Sequence, residues 1–156
     1  MRRWLVLVLT LVLLSVACGA DPPRTGPPEI AYGRDLCTEC RMIIEDPRFA
    51  AAYRTPDGEE RRFDDIGGLV LYGVETGELD SAEVWVHDHD TEAWIPADRA
   101  TFVVADRFPT PMGHGAVAFA DRGRATAFAG SVDGVVVEWT ALAAWSFDDH
   151  VHADHP

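Results

Sequence analysis

A short motif occurs twice in this chain, and its recurrence constrains the possible folds more than any other feature. The segment 63–67 reads FDDIG and has an aromatic residue at position 72, while 119–123 reads FADRG and has one at 128. Both copies fit the pattern F-x-D-x-G-x4-aromatic, at an offset of 56 residues. Recurrence at a fixed offset is the sequence signature of a repeated structural unit.

The flanks of the two motif copies also match each other. Two strand-like runs come before each predicted helix, and a third follows it. Asp65 and Asp121 stand where a helix N-cap is needed, and Gly77 and Gly130 are predicted to end the helices. The predicted strands lie at 49–54, 60–63, 83–87, 101–105, 116–119 and 135–140, and the predicted helices at 66–75 and 122–129.

This order of elements predicts an α+β fold made of two tandem, similar ββαβ units, at 36–95 and 96–145. A unit of about 50 residues buries too little apolar surface to be stable alone. We therefore expect the two units to pack together. The remaining residues, 146–156, are rich in His and Asp and are predicted to form a disordered tail.

The start of the chain is typical of a secretory signal. Residues 1–17 combine a basic start, an apolar run too short for an ordinary spanning helix, and small residues before Cys18. The pattern resembles a bacterial lipoprotein signal, in which Cys18 becomes the lipidated first residue, although Ser15 stands where such signals usually carry Leu. A simple cleaved signal and an uncleaved anchor are the alternatives.

The segment after Cys18 predicts a spacer. Residues 18–35 contain four Pro and several Gly, a composition typical of a flexible tether. With a lipid at Cys18, this tether would hold the folded body near a bacterial membrane on the extracytoplasmic side. The chain is therefore predicted to be membrane-attached outside the cytoplasm.

The charge of the chain excludes one class of partner. The formal net charge is −13, and all thirteen basic residues are Arg. Nucleic-acid binding requires a basic face, so we expect no nucleic-acid partner. The acidic surface is compatible with attraction of cations or of a basic partner, and equally with salt adaptation or nucleotide bias in the genome.

The segment CTECRM at 37–42 carries the strongest chemical signal. It places the thiols of Cys37 and Cys40 close to the thioether of Met42. These soft sulfur donors favour Cu(I) over Mg²⁺, Ca²⁺ or Mn²⁺, whereas zinc usually takes four Cys, His or carboxylate ligands. The C-x-x-C pair alone also fits a zinc half-site, a redox pair or a plain disulfide.

A second segment, TPMGHG at 110–115, offers further donors. It corresponds in the repeat to the hairpin connection between the first two strands of unit one, so we expect a loop. Met112 is predicted to be a third soft ligand that lies against Cys40 and Met42, and His114 an additional nitrogen donor. The alternative is an ordinary turn whose Met packs onto the core.

These segments together resemble the NosL family, the accessory lipoproteins of nitrous oxide reductase. The resemblance runs from Cys18 to about Trp145. It implies a fold of two similar halves related to alkylmercury lyase. It rests on the lipoprotein-like start and on CTECRM at 37–42, FDDIG at 63–67, VHD at 86–88, WI at 94–95 and TPMG at 110–113.

The resemblance also implies a function, which is not that of an enzyme. NosL-like proteins are Cu(I) chaperones that deliver copper for the copper–sulfide centre of nitrous oxide reductase, with a membrane-bound ABC-type assembly complex. The implied ligands are Cys40, Met42 and Met112, with Cys37 and His114 as further members. One departure concerns position 41, which is often Gly in the family and is Arg here.

Three alternative functions remain open from the sequence. A thiol–disulfide oxidoreductase would use Cys37 and Cys40, although such pairs usually start a helix in a βαβ setting. A structural lipoprotein would hold the two Cys in a permanent disulfide. A copper chaperone could also serve another cuproenzyme.

Overall fold

Seven short strands form two antiparallel sheets in the computed structural model, which describes residues 25–147 of the chain. The strands are β1 (Ala51–Arg54), β2 (Glu60–Phe63), β3 (Glu83–His87), β4 (Trp94–Pro96), β5 (Thr101–Val104), β6 (Ala116–Phe119) and β7 (Val135–Glu138). The α-helices are α1 (Ile66–Glu75), α2 (Arg122–Val132) and α3 (Trp139–Leu142), and two 3₁₀ helices span Leu79–Ser81 and Ala97–Arg99. The first sheet has the order β2-β1-β3-β4 and the second has β6-β5-β7. The predicted α+β mixture of helices and strands is confirmed.

The two longer helices begin at aspartate caps, as the sequence predicts. Asp65 Oδ1 accepts hydrogen bonds from the backbone N–H groups of Gly67 (2.8 Å) and Gly68 (3.4 Å), at the start of α1. Asp121 Oδ1 accepts one from Arg124 N (2.8 Å), at the start of α2. Each carboxylate supplies an acceptor that the first turn of a helix lacks.

The end of α2 differs from the prediction. Gly130 was expected to end this helix, but α2 continues to Val132 and ends where Asp133 adopts a left-handed conformation (φ 55°). A glycine inside a helix costs only about 1 kcal/mol relative to alanine, so Gly130 does not by itself stop the helix. Asp tolerates the left-handed region better than most side chains, which suits it to this C-terminal position.

Both halves of the chain contribute to one core. Tyr53, Phe63 and Val86 from the first sheet pack in the same buried cluster as Phe102 and Leu142 from the second half. The division into separate units at 36–95 and 96–145 stays a prediction.

A second cluster fills the space under α2 and includes Phe119 and Ala125. The two sheets also meet through the backbone, because His89 N donates to Ala118 O (2.8 Å).

The N-terminal segment is more ordered than its composition predicts. Gly26 O accepts from Arg54 Nη1 (2.9 Å), and Ile30 is buried in the main core. Tyr32 O–H donates to Nε2 of His87 (3.0 Å), whose Nδ1 donates to Ala50 O. Residues 26–35 therefore pack against the body, because a few apolar and hydrogen-bonding groups outweigh the Pro- and Gly-rich context. The prediction of a flexible tether over 18–35 is therefore wrong for residues 26–35.

The C-terminal end of the described chain is also packed. Phe147 is 1% exposed and lies in the main core, although the predicted tail, 146–156, includes it. The signal 1–17, Cys18 and the rest of the tail, from 148 onward, lie outside the described residues. None of the helices among residues 25–147 combines the length and the hydropathy that a membrane-spanning segment needs.

Candidate metal centre

The segment 37–42 forms a tight turn that brings its two cysteines together. Cys37 N donates to Met42 O (2.8 Å) and Arg41 N donates to Cys37 O (3.1 Å). Thr38 N donates to Arg62 O (2.7 Å), which fixes the turn against the end of β2. We call residues 37–42 the cysteine turn. Arg41 has φ 64°, a left-handed conformation that glycine adopts more easily than other residues. The backbone of the turn would therefore also suit a glycine at position 41.

The cysteine turn places two thiols beside a buried carboxylate. One donor atom each from Cys37, Cys40 and Asp64 lie within 4.8 Å of one another. Cys40 Sγ lies 3.6 Å from both carboxylate oxygens of Asp64, to which the thiol donates. Both cysteines are free thiols in the structure. Within residues 25–147, no other three His, Cys, Asp or Glu side chains bring their donor atoms this close together.

The two thiols differ in accessibility. Cys37 is fully buried, and burial, with a further contribution from the hydrogen bond to Asp64, raises the pKa of its thiol to about 12. Cys40 is half-buried and faces Asp64. A redox C-x-x-C motif needs an accessible thiol with a lowered pKa, usually at a helix N-terminus. The buried Cys37 and the turn conformation therefore argue against the oxidoreductase alternative.

This difference predicts unequal alkylation. At pH 8 we expect iodoacetamide to modify Cys40 at least about ten times faster than Cys37 in the native, reduced protein, because the thiolate is the reactive species. Tandem mass spectrometry of the modified peptide distinguishes the two sites. Unfolding in denaturant is the control and should make the two rates similar. Faster modification of Cys37 would contradict this description and restore the redox alternative.

A second buried carboxylate joins the cysteine region to the methionine loop, residues 110–113. Asp65 is fully buried, and its Oδ2 accepts from Thr110 Oγ1 (2.5 Å) and Met112 N (3.1 Å). Its Oδ1 caps α1 at the same time. The adjacent Asp64 contacts Cys40, so two consecutive carboxylates hold the two sulfur-bearing segments at one end of α1. The sequence predicted Asp65 as a cap but not the contact of Asp64 with Cys40, which depends on pairing between the turn and β2.

Two glycines at the start of α1 leave room for the methionine loop. A Cβ added at Gly68 would lie 2.7 Å from Met112 Sδ, and one added at Gly67 would lie 2.3 Å from the Cβ of His114. Real Cβ atoms do not make contacts this short. A side chain at position 67 would clash with the Cβ and the ring of His114, whereas one at position 68 would push aside the flexible end of Met112. The thioether of Met112 therefore lies directly over the first turn of α1.

An alanine at position 68 should displace the Met112 thioether. We expect Gly68→Ala to lower Cu(I) affinity about tenfold, a loss of the size seen when groups that support metal ligands are removed. Competition with a Cu(I) chelator measures the change. Gly130→Ala is the matched control, because it also lies inside a helix but its added Cβ would contact nothing within 4 Å. Equal affinities for the two variants would contradict the prediction that the present position of the Met112 thioether supports copper binding.

The two sulfur-bearing segments also border one open groove. Met42, whose side chain is 60% exposed, lines it from the cysteine turn, and Thr110 and Pro111 line it from the methionine loop. Asp64 lines it as well. This groove has a volume of about 380 Å³. An incoming group can therefore reach the neighbourhood of Cys40 and Met42 from solvent.

His114 occupies a different environment from the sulfur donors. It is buried, its ring makes an edge-on contact with Phe147 (5.3 Å between centroids), and neither ring nitrogen has a hydrogen-bond partner among the described residues. It is not part of the group formed by Cys37, Cys40 and Asp64. Its role as a nitrogen ligand stays a prediction.

Comparison with known proteins identifies the family. The family model described as NosL matches residues 30–145, which is more than half of the chain. The chain belongs to the NosL family. The family resemblance inferred from the sequence is thereby confirmed, and the matched range contains both the cysteine turn and the methionine loop.

A solved NosL structure shares the fold. The crystal structure of the copper chaperone NosL from Shewanella denitrificans superposes with a TM-score of 0.64 at 21% sequence identity. The match covers 76% of this chain and 95% of that one. A comparison with curated proteins finds no match.

Proposed function

We propose that this NosL-family protein is an extracytoplasmic copper chaperone, anchored to a membrane by a lipid on Cys18, that supplies Cu(I) for maturation of nitrous oxide reductase. The observation that carries the proposal is the grouping of Cys37, Cys40 and Asp64 within 4.8 Å beside a groove that Met42 lines. Family membership and the fold shared with a copper chaperone support it. The protein would transfer a metal ion and catalyse no reaction.

The donor set suits Cu(I). Thiolate and thioether sulfur are the ligands that Cu(I) prefers, and the proposed ligands are Cys40, Met42 and Met112, with Cys37 as a further thiol. Binding exchanges the proton of a cysteine thiol for the metal ion, so each thiolate–copper bond releases one proton. Asp64 already accepts the hydrogen bond of the Cys40 thiol and is the nearest base for that proton. A carboxylate is a hard donor, so Asp64 orients Cys40 rather than coordinating the copper ion.

Release would proceed by ligand exchange. The exposed Met42 and the open groove leave one side of the site accessible to a ligand from the acceptor protein. The acceptor can therefore bind the metal ion before the last donor of the chaperone leaves. Thioether ligands hold the metal ion without a negative charge, which favours transfer over permanent storage. The acceptors we propose are nitrous oxide reductase and a membrane ABC-type assembly complex.

A complementation experiment tests this function in cells. In a denitrifying host that lacks its own copy of the gene, we expect the wild-type chain to restore the copper content and activity of nitrous oxide reductase, and Cys40→Ser to restore neither. Val74→Ala is the control, because it truncates an exposed side chain on α1 that is none of the proposed copper ligands. Full rescue by Cys40→Ser would contradict the proposal, whereas a copper defect confined to another cuproenzyme would reassign the acceptor.

A further inference from the structure

A second groove combines two tryptophans with three carboxylates, and it contains none of the proposed copper ligands. It consists of two adjoining cavities of about 390 Å³ each, which share Ala82 and Trp139. Among the described residues, no Arg or Lys lines either cavity. We call it the tryptophan groove and define it by Trp85, Trp139, Ala82, Asp80, Glu83 and Asp98.

The carboxylates of the tryptophan groove are available to a ligand. Asp80 and Asp98 are exposed and have no ion-pair partner within residues 25–147. The Glu83 side chain is 71% exposed, and its nearest cation, Arg54 Nη1, is 3.8 Å away. The groove therefore has an acidic rim around an aromatic and small-residue floor, in a chain whose net charge is −13.

The molecule already contains one guanidinium bound in this manner. The Cζ atom of Arg54 lies 5.4 Å from the centre of the Trp85 ring. The same guanidinium pairs with Glu60 at 3.0 Å and, at the longer distance of 3.8 Å, with Glu83. A guanidinium stacks on an indole and also offers a planar set of donors to a carboxylate. Arg54 itself is almost fully buried and does not line the groove. Within residues 25–147, the two other carboxylates, Asp80 and Asp98, therefore face solvent without a paired cation.

We propose that the tryptophan groove binds an extended, arginine-bearing segment of a partner protein. Trp139 and the accessible part of Trp85 would contact the guanidinium groups and the apolar residues between them. Asp80 and Asp98 would pair with the arginines, and the negative charge of the chain would speed the encounter. This inference goes beyond copper binding, because it assigns a contact surface for a partner without using any of the proposed copper ligands.

The test measures binding of a synthetic (Arg-Pro)4 peptide to the full-length protein in nanodiscs of neutral lipid. Fluorine NMR of 5-fluorotryptophan reports each tryptophan, and Trp85→Phe and Trp139→Phe assign the two signals. We expect the peptide to shift these two signals, and (Glu-Pro)4 to shift neither. The double variant Asp80→Asn with Asp98→Asn should weaken binding about tenfold, since it removes two charge-assisted contacts. Its matched control is Glu75→Gln with Asp133→Asn, which removes two exposed carboxylates that do not line the groove.

The outcomes separate this proposal from its alternatives. It is overturned if (Arg-Pro)4 does not bind, if other tryptophans shift instead, or if both double variants weaken binding equally. Equal binding of (Lys-Pro)4 would overturn the assignment of arginine. A shift caused by Arg24→Ala without peptide would identify the chain's own N-terminal segment as the occupant, and a shift on raising protein concentration would identify a second copy. Copper affinity should be the same in both double variants, so failure here leaves the proposed function intact.

Discussion

Cys40→Ser is expected to lower the Cu(I) affinity of the reduced protein by more than about 100-fold. The substitution removes the half-buried thiol that contacts Asp64, and Asp64 itself lines the groove. Even groups that only support metal ligands often account for 10- to 100-fold in affinity, so a ligand should account for more. Anaerobic titration against a competing Cu(I) chelator measures the change.

Matched substitutions define which sulfur atoms take part. Cys18→Ser is the same change at the predicted lipidation site, and it should leave the Cu(I) affinity of the purified protein unchanged. Met42→Leu and Met112→Leu keep side-chain volume while removing the thioether, and each is expected to weaken binding about tenfold or more, in line with the loss of a supporting group. Wild-type affinity for both Leu variants would exclude the methionines as ligands and leave only the thiols.

Asp65→Ala is expected to lower the free energy of unfolding by about 3–5 kcal/mol, because it leaves several buried donors without an acceptor. Asp65 is fully buried and accepts four hydrogen bonds, two from the start of α1 and two from Thr110 and Met112. Chemical denaturation followed by circular dichroism measures the loss. The methionine loop should also detach from α1, so copper affinity should fall with stability.

Asp121→Ala provides the matched control for this change. Asp121 caps α2 as Asp65 caps α1, but it is exposed and accepts one hydrogen bond, from Arg124 N. Loss of an ordinary N-cap costs about 1 kcal/mol, and copper affinity should not change. If both alanine variants lost the same stability, Asp65 would be a helix cap alone and would not hold the methionine loop.

Local sequence signals were sufficient for most of the secondary structure. The strands at 60–63, 83–87 and 116–119 have the predicted bounds, because turn residues and aspartate caps limit them on both sides. The bounds of α1 were also predicted, since Asp65 caps it and Gly77 follows it in a left-handed conformation. The end of α2 was missed because the deciding feature was the backbone conformation of Asp133 and not the presence of Gly130.

Only part of the candidate site could be predicted from the sequence. Cys37, Cys40, Met42 and Met112 could be chosen because they are the soft sulfur donors of the chain apart from Met1 and Cys18, and they occur in two short segments. The contact of Cys40 with Asp64 depends on tertiary packing, since the cysteine turn attaches to β2 through a backbone hydrogen bond from Thr38.

The close approach of Met112 and His114 to the two glycines of α1 is also a long-range contact. No local pattern contains it. Local patterns also do not predict that residues 26–35 and Phe147 pack against the body. Apolar side chains of these segments are buried in a core that strands distant in the sequence form.

We propose that two separate chain segments supply sulfur ligands to one Cu(I) ion. X-ray absorption spectroscopy at the copper edge tests it most directly, on the protein loaded with one equivalent of Cu(I), beside Met112→Leu. We predict a first coordination shell made of sulfur, with one sulfur fewer in the variant. A shell dominated by nitrogen or oxygen, or a sulfur shell unchanged by loss of the Met112 thioether, would contradict the site described.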